Sequence, residues 1–231
     1  MKKLKEEWSE PLSEQERTTL WVFVRHVSYF FALLLCICGM WKLGKADGAA
    51  CVGEDGIIEV IEAWLLLFTG CVYTVLALCS RPYRALLFWL ASLLFAATCR
   101  ELDFYFDIVL PVISWKFCYI FPIAALIYIW RHRVGVRREL FLFLRSHTFY
   151  LLFTASLVVL VIAQAVAHRS FIEDVLGTDL DLSLTRRLME EPIELVGYII
   201  ILFSTWEFYW ELIVPAMRQA RELAAKEDEE D

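Results

Sequence analysis

The 231-residue chain is 59% hydrophobic and 15% aromatic, with a mean hydropathy of +0.56, and its apolar residues fall in blocks long enough to cross a bilayer, which excludes an ordinary soluble domain. The net charge of −7 says little about partners, because the terminal stretch from Lys226 to Asp231 alone supplies −4, one Lys against five acids, and reads as a solvated tail. Nothing in the composition points to nucleic acid, and the seven cysteines contain no CxxC pair, which argues against a zinc ribbon or a thioredoxin-like motif.

Residues 1–18 form a polar N-terminal segment, taken as cytoplasmic, in which Ser13 and Glu16 have the spacing of a helix-capping box. The first apolar run, 20–41, is too long and begins too late for a signal-peptide core and reads as an uncleaved span. A second span is expected over 56–79. The Arg81-Pro82-Tyr83-Arg84 turn then reverses the chain into a third, 85–110, which Pro111 ends. A fourth, shorter span over 114–130 carries Lys116 near its start and Pro122 as a kink. The basic stretch 131–138 leads into an interfacial segment, 141–146, and a fifth span follows over 149–167. Residues 170–189 mix apolar and charged side chains as a surface-lying segment would, and a sixth span covers 193–214. The fold class expected is all-α, a polytopic bundle of six transmembrane helices with short interfacial helices. Residues 19–216 make up the membrane domain and 217–231 a cytoplasmic acidic tail.

Six spans place both termini on one side. Fourteen of the 22 basic residues fall in the termini, the 81–84 turn and the 131–145 loop, against five, Lys42, Lys45, Arg169, Arg186 and Arg187, in the opposite segments. The positive-inside rule therefore puts both termini in the cytoplasm of an inner-membrane protein. Cys51, Cys99 and Cys118 then lie toward the outer side, where a disulfide is permitted.

With that topology, three acid-bearing helix ends share the outer level. Asp55, Glu59 and Glu62 form a stripe at i, i+4, i+7, Arg100, Asp103 and Asp107 form another, and Glu191, Glu194 and Tyr198 a third. At 1.5 Å per residue, Glu62 and Arg100 lie roughly 8–10 Å below the surface. Charges at such depth are costly and by default mark a site. The ion- or proton-binding candidates are Glu59, Glu62, Arg100, Glu101, Asp103, Lys116, His168, Glu191 and Glu194. Five deep acids, Glu59, Glu62, Glu101, Asp103 and Glu194, face two bases, Arg100 and Lys116, so the excess must be met by protons, a cation or water. Oxygen ligands from Glu59, Glu62, Asp103 and Glu194 would favour Ca²⁺, Mg²⁺ or Mn²⁺. Zinc fits poorly, with His168 the only histidine near and no HExxH or HxxxH spacing.

The function expected is a cation or proton site in a carrier, channel or sensor. A membrane-embedded, metal-dependent hydrolase acting on lipid or periplasmic substrates is the alternative, although the sequence offers no GxSxG or other convincing nucleophile. A structural subunit is a further alternative, with Arg100 paired to Asp103 or Glu62 and Lys116 to Glu101 or Glu194 as ion pairs holding the bundle. The bilayer is the expected partner in each case, and so small a chain leaves room for a homo-oligomer or a membrane partner protein.

Overall fold

The computed structural model describes residues 13–48, 51, 56–103, 115–176 and 181–230, and every regular element among them is helical. The chain divides into two units, 1–42 and 43–231.

The first unit is built on α1, Glu14–Asp47. The capping box forms: the Ser13 amide and hydroxyl both donate to Glu16 Oε2, at 2.8 and 2.7 Å, while the Glu16 amide donates to Ser13 Oγ at 3.3 Å. The box therefore starts the long apolar helix itself, and two donors left open at its N-terminus are satisfied.

The second unit is a bundle whose centre is α2, Ile57–Cys79, folded back on α3, Arg84–Glu101. The reversal at Ser80 to Tyr83 is set by two hydrogen bonds and one left-handed residue. Ser80 Oγ donates to Pro82 O at 3.1 Å, Arg84 Nε donates to Ala77 O at 3.0 Å, and Tyr83 sits in the left-handed region with φ 61°. A non-glycine residue there costs about 1–2 kcal/mol. The buried Tyr83 ring offsets this by packing edge-on against Phe208, with centroids 5.7 Å apart. After a 3₁₀ turn at Trp115–Tyr119 come α4, Ile120–Arg131, and α5, Arg133–Leu144. Next is α6, His147–Leu157, which continues through a π-helical turn at Val158–Ala163 to Val166. A short helix α7, Arg169–Leu176, precedes α8, Leu182–Phe208, and a second π turn at Tyr209–Ile213 joins α8 to α9, Val214–Glu230.

The packing faces follow helical periodicity. On α2 the buried residues are Ile58, Glu62, Ala63, Leu66, Thr69, Gly70, Tyr73 and Ala77, and on α8 they include Glu194, Gly197, Tyr198, Ile201, Ser204 and Phe208. Small residues let the backbones approach closely. A Cβ at Gly197 would run into Val159 Cγ2 at the first π turn, and one at Gly70 would stand 3.0 Å from the Phe95 ring. The opposite faces are inside-out for a soluble protein, with Trp64 66% and Leu78 64% exposed beside Phe68, Phe153 and Trp206.

Among the described residues, four helical stretches are long and apolar enough to cross a membrane: Glu14–Ala46, Ile57–Cys79, His147–Val166 and Leu182–Lys226. The expected third span is shorter than its sequence suggested. It ends at Glu101, with Leu102 leaving the helical region, and its 18 residues include Arg84, Arg100 and Glu101, too many charges for a purely apolar crossing. Residues 104–110, with Asp107, lie outside the described residues, as does Asp55. The fourth stretch begins as a 3₁₀ turn and yields a helix of only 12 residues. The sixth begins eleven residues before 193, because Asp181 caps it by accepting from the Ser183 and Leu184 amides. Pro192 is absorbed inside that helix. The 182–189 part of the expected surface segment is therefore helix N-terminus. Glu211 caps α6, accepting from the His147 and Thr148 amides at 3.0 and 3.1 Å and from Thr148 Oγ1 at 3.0 Å.

Candidate functional site

Three helices deliver one carboxylate each to a common point. Glu62 comes from the first turns of α2, Glu101 from the last residue of α3, and Glu194 from α8, two residues beyond Pro192. An oxygen from each lies within 4.8 Å of the other two, and all three side chains are buried. Three carboxylates at that spacing demand compensation.

Arg100 supplies part of it. Its Nη2 donates to Glu101 Oε1 at 2.7 Å, to Glu194 Oε2 at 2.9 Å and to Tyr198 OH at 3.1 Å, while Nε donates to Glu101 Oε1 at 3.1 Å. The Tyr198 hydroxyl in turn donates to Glu101 Oε1 at 2.7 Å. Glu194 Oε1 accepts from Gln164 Nε2 at 3.1 Å; that amide also donates to Glu190, whose other oxygen accepts from Arg186 Nε at 3.1 Å. Glu101 and Glu194 are thus both charge-paired and hydrogen-bonded, which is the condition for tolerating a buried charge.

Glu62 is different. It is 0% exposed, and neither of its carboxyl oxygens has a hydrogen-bond partner. The charged groups that act on it are Glu191, Glu101 and Glu194, all acids, and the Glu191 carboxyl lies close enough to share a proton with it. Two carboxyl groups can bond to one another only through such a proton, and otherwise a cation must stand between them. Counting the triad as −3 and Arg100 as +1 leaves −2, the charge of one divalent ion. The donor set is oxygen throughout, from three helices, and an unpartnered Glu62 oxygen is one of the three that lie within 4.8 Å of one another. These residues fit a hard ion such as Mg²⁺, Mn²⁺ or Ca²⁺ better than zinc.

The other sequence candidates occupy a second ring or lie elsewhere. Glu59 and Glu191 are half-buried beside the triad, with Glu59 acting on Glu191. Asp103 is exposed, two residues past the end of α3, so Glu101 takes the inward position expected of Asp103. Lys116 is exposed in the 3₁₀ turn; among the described residues the base bonded to the triad is Arg100. His168 is exposed, with Nδ1 2.7 Å from Ser170 Oγ. All seven cysteines are free thiols, with the Cys99 thiol directed at that of Cys118.

Gln164, Glu190, Arg186 and Tyr198 belong to the network although they were not among the site candidates. Each had a signal. Gln164 is the one amide in an apolar run, Tyr198 is one turn from Glu194, and Arg186 and Glu190 form an i, i+4 pair that looked like solvated loop. Beyond this geometry no outside resemblance bears on the site: known protein families, curated proteins and solved structures offer no match to the chain.

Proposed function

We propose that the chain is a multi-pass protein of the cell inner membrane whose buried carboxylates, Glu62, Glu101 and Glu194, bind a divalent cation, with protons taking its place when none is present, as a carrier, channel or sensor would. The observation that carries this reading is Glu62, a fully buried carboxyl group with neither oxygen hydrogen-bonded and the acids Glu191, Glu101 and Glu194 acting on it. A structural role would have paired it. Inside-out apolar faces and four apolar helices of spanning length support the membrane setting. In this reading α3 and the 115–131 segment bring the crossings to six, and the basic asymmetry sets both termini in the cytoplasm with the triad toward the opposite face.

The test is binding of Mn²⁺ by the purified protein, followed by its electron paramagnetic resonance signal, with competition by Mg²⁺ and Ca²⁺. One saturable site lost in Glu62→Gln is expected; no bound Mn²⁺ in the wild type at millimolar ion would end the cation reading. Accessibility labelling of cysteines placed at residues 48 and 135 tests the orientation, residue 48 reacting from outside and 135 from the cytoplasm.

One observation favours a second reading. The closed set of bonds among Arg100, Glu101, Glu194 and Tyr198 would serve equally as a structural clasp tying α3 to α8. In that case the same binding measurement gives no saturation and Arg100→Gln costs stability alone.

A further inference from the structure

A cavity of about 360 Å³ runs along the bundle from Arg100 and Tyr198 at one end to Phe143 and Phe149 at the other, a volume at the lower end of those that take small molecules. Apart from that charged end and the hydroxyl-bearing Tyr73, Tyr119 and Ser156, its wall is hydrocarbon and aromatic, with Trp89, Leu93, Phe153 and Leu160 along its length. Phe149 and Leu160 are eleven positions apart on one helical stretch, so the lined slot is about 16 Å long. Its polar end is not a separate feature. Arg100 and Tyr198 are the residues through which the carboxylate triad is held.

Arg100 divides its guanidinium between the two. Nη2 and Nε are committed to Glu101, Glu194 and Tyr198, while Nη1 has no partner among the described residues and the side chain is 28% exposed. A fork with one free edge suits an oxyanion. The triad behind it carries two negative charges more than Arg100 balances, so an anion arrives here only if a cation arrives with it. Divalent ions held by carboxylates on one side and phosphate oxygens on the other are ordinary Mg²⁺ chemistry.

Resting on the cation reading above, we propose that the cavity takes the hydrocarbon chain of an amphiphile with a phosphate headgroup, the phosphate lying against Arg100 and completing the coordination of the ion held by Glu62, Glu101 and Glu194. The ligand is thus a lipid phosphate bound as its metal complex, and the slot selects a single chain. Ala97 lines the cavity without belonging to the carboxylate network, and Trp89 in its wall provides a local reporter.

The test places the full-length protein in bilayer nanodiscs and titrates a dodecyl phosphate dibrominated at its chain end, reading quenching of tryptophan fluorescence. Saturable quenching is expected, absent in Trp89→Phe, and tightened about tenfold by Mg²⁺ relative to EDTA, the size of an ordinary coupling between two bound ligands. Ala97→Phe, which fills the slot, should abolish the quenching and leave Mn²⁺ binding as in the wild type. Equal affinity for the matching brominated alcohol or trimethylammonium would mean simple partitioning and overturn the proposal; equal affinity for the brominated carboxylate would overturn the phosphate assignment. Mn²⁺ binding without saturable quenching removes this inference and leaves the cation site standing, whereas absence of both removes the two together.

Discussion

Replacing Glu62 by Gln should stabilise the metal-free protein and erase its response to metal. With an oxygen of each triad member within 4.8 Å of the others, two ionised carboxylates repel by about 3.5 kcal/mol at an effective dielectric near 20. Glu62 faces two such neighbours in the triad, so ionising it in the metal-free site costs about 7 kcal/mol, before Arg100 and whatever protons the cluster takes up reduce it. Gln at this position is neutral and of the same shape, and its amide brings two donors into a ring of acceptors. A bound divalent ion would stabilise the wild type by about 2.7 kcal/mol at a hundred times its dissociation constant. For a chain of this size that is a midpoint shift of about 5–10 °C. The assay is thermal unfolding in detergent with EDTA or with Mg²⁺, Mn²⁺ or Ca²⁺ at neutral pH. Wild type should melt higher with the ion, and Glu62→Gln should melt above the wild type in EDTA and at one temperature throughout. A wild type indifferent to every ion, together with a Glu62→Gln variant that melts lower than the wild type in EDTA, would show that Glu62 is paired in a way this reasoning does not allow.

Gly197→Ala should cost about 1–3 kcal/mol, seen as a lowered midpoint, because the added methyl meets Val159 at the π turn. Glu211→Ala removes the acceptor for the His147 and Thr148 amides and should cost about 1–2 kcal/mol, with faster hydrogen exchange confined to the first turn of α6. Burial holds the Glu139 carboxyl above its ordinary range, against an opposing hydrogen bond from the Tyr83 backbone. The fold therefore favours the neutral acid, stability should fall as pH rises through that raised value, and Glu139→Gln should flatten this part of the profile. At the α8 cap the sign reverses. The Ser183 hydroxyl, with the Leu184 and Ser183 amides, holds the Asp181 carboxyl below its usual range, so the first turn should fray, by hydrogen exchange, only as acid protonates it.

The helical architecture was legible because long apolar runs and a capping box leave few alternatives, and the gathering of acids at the ends of three runs was legible from charge alone. Which acid on each run faces inward was not. On α2 spacing alone puts Glu59 and Glu62 on one stripe, but only packing against α3 and α8 decides that Glu62 is sealed and Glu59 half-exposed. On α3 no Gly or Pro precedes Pro111, so nothing local announced that the helix ends at Glu101. Glu101 was placed off the stripe of Arg100 and Asp103, and the early end makes Glu101 the buried residue. The α8 start was hidden by Pro192, which marks a boundary by default, while Asp181 with Ser183 supplied a cap eleven positions upstream that looked like loop.

The π turn at Tyr209–Ile213 leaves α8 and α9 as one unbroken helix, so Glu194 and the acidic tail are fixed to a single shaft. From Glu194 to Lys226 that shaft is about 48 Å long. A π turn is, in effect, one extra residue wound into an α-helix, so it sets the rotational phase between the two ends. Deleting a single residue within it would restore plain α-helix, leave Glu194 where it is, and turn every side chain of the tail by about 100° around the axis. Arg218, Arg221 and Glu222 would then face a different side of the axis with no residue among them altered.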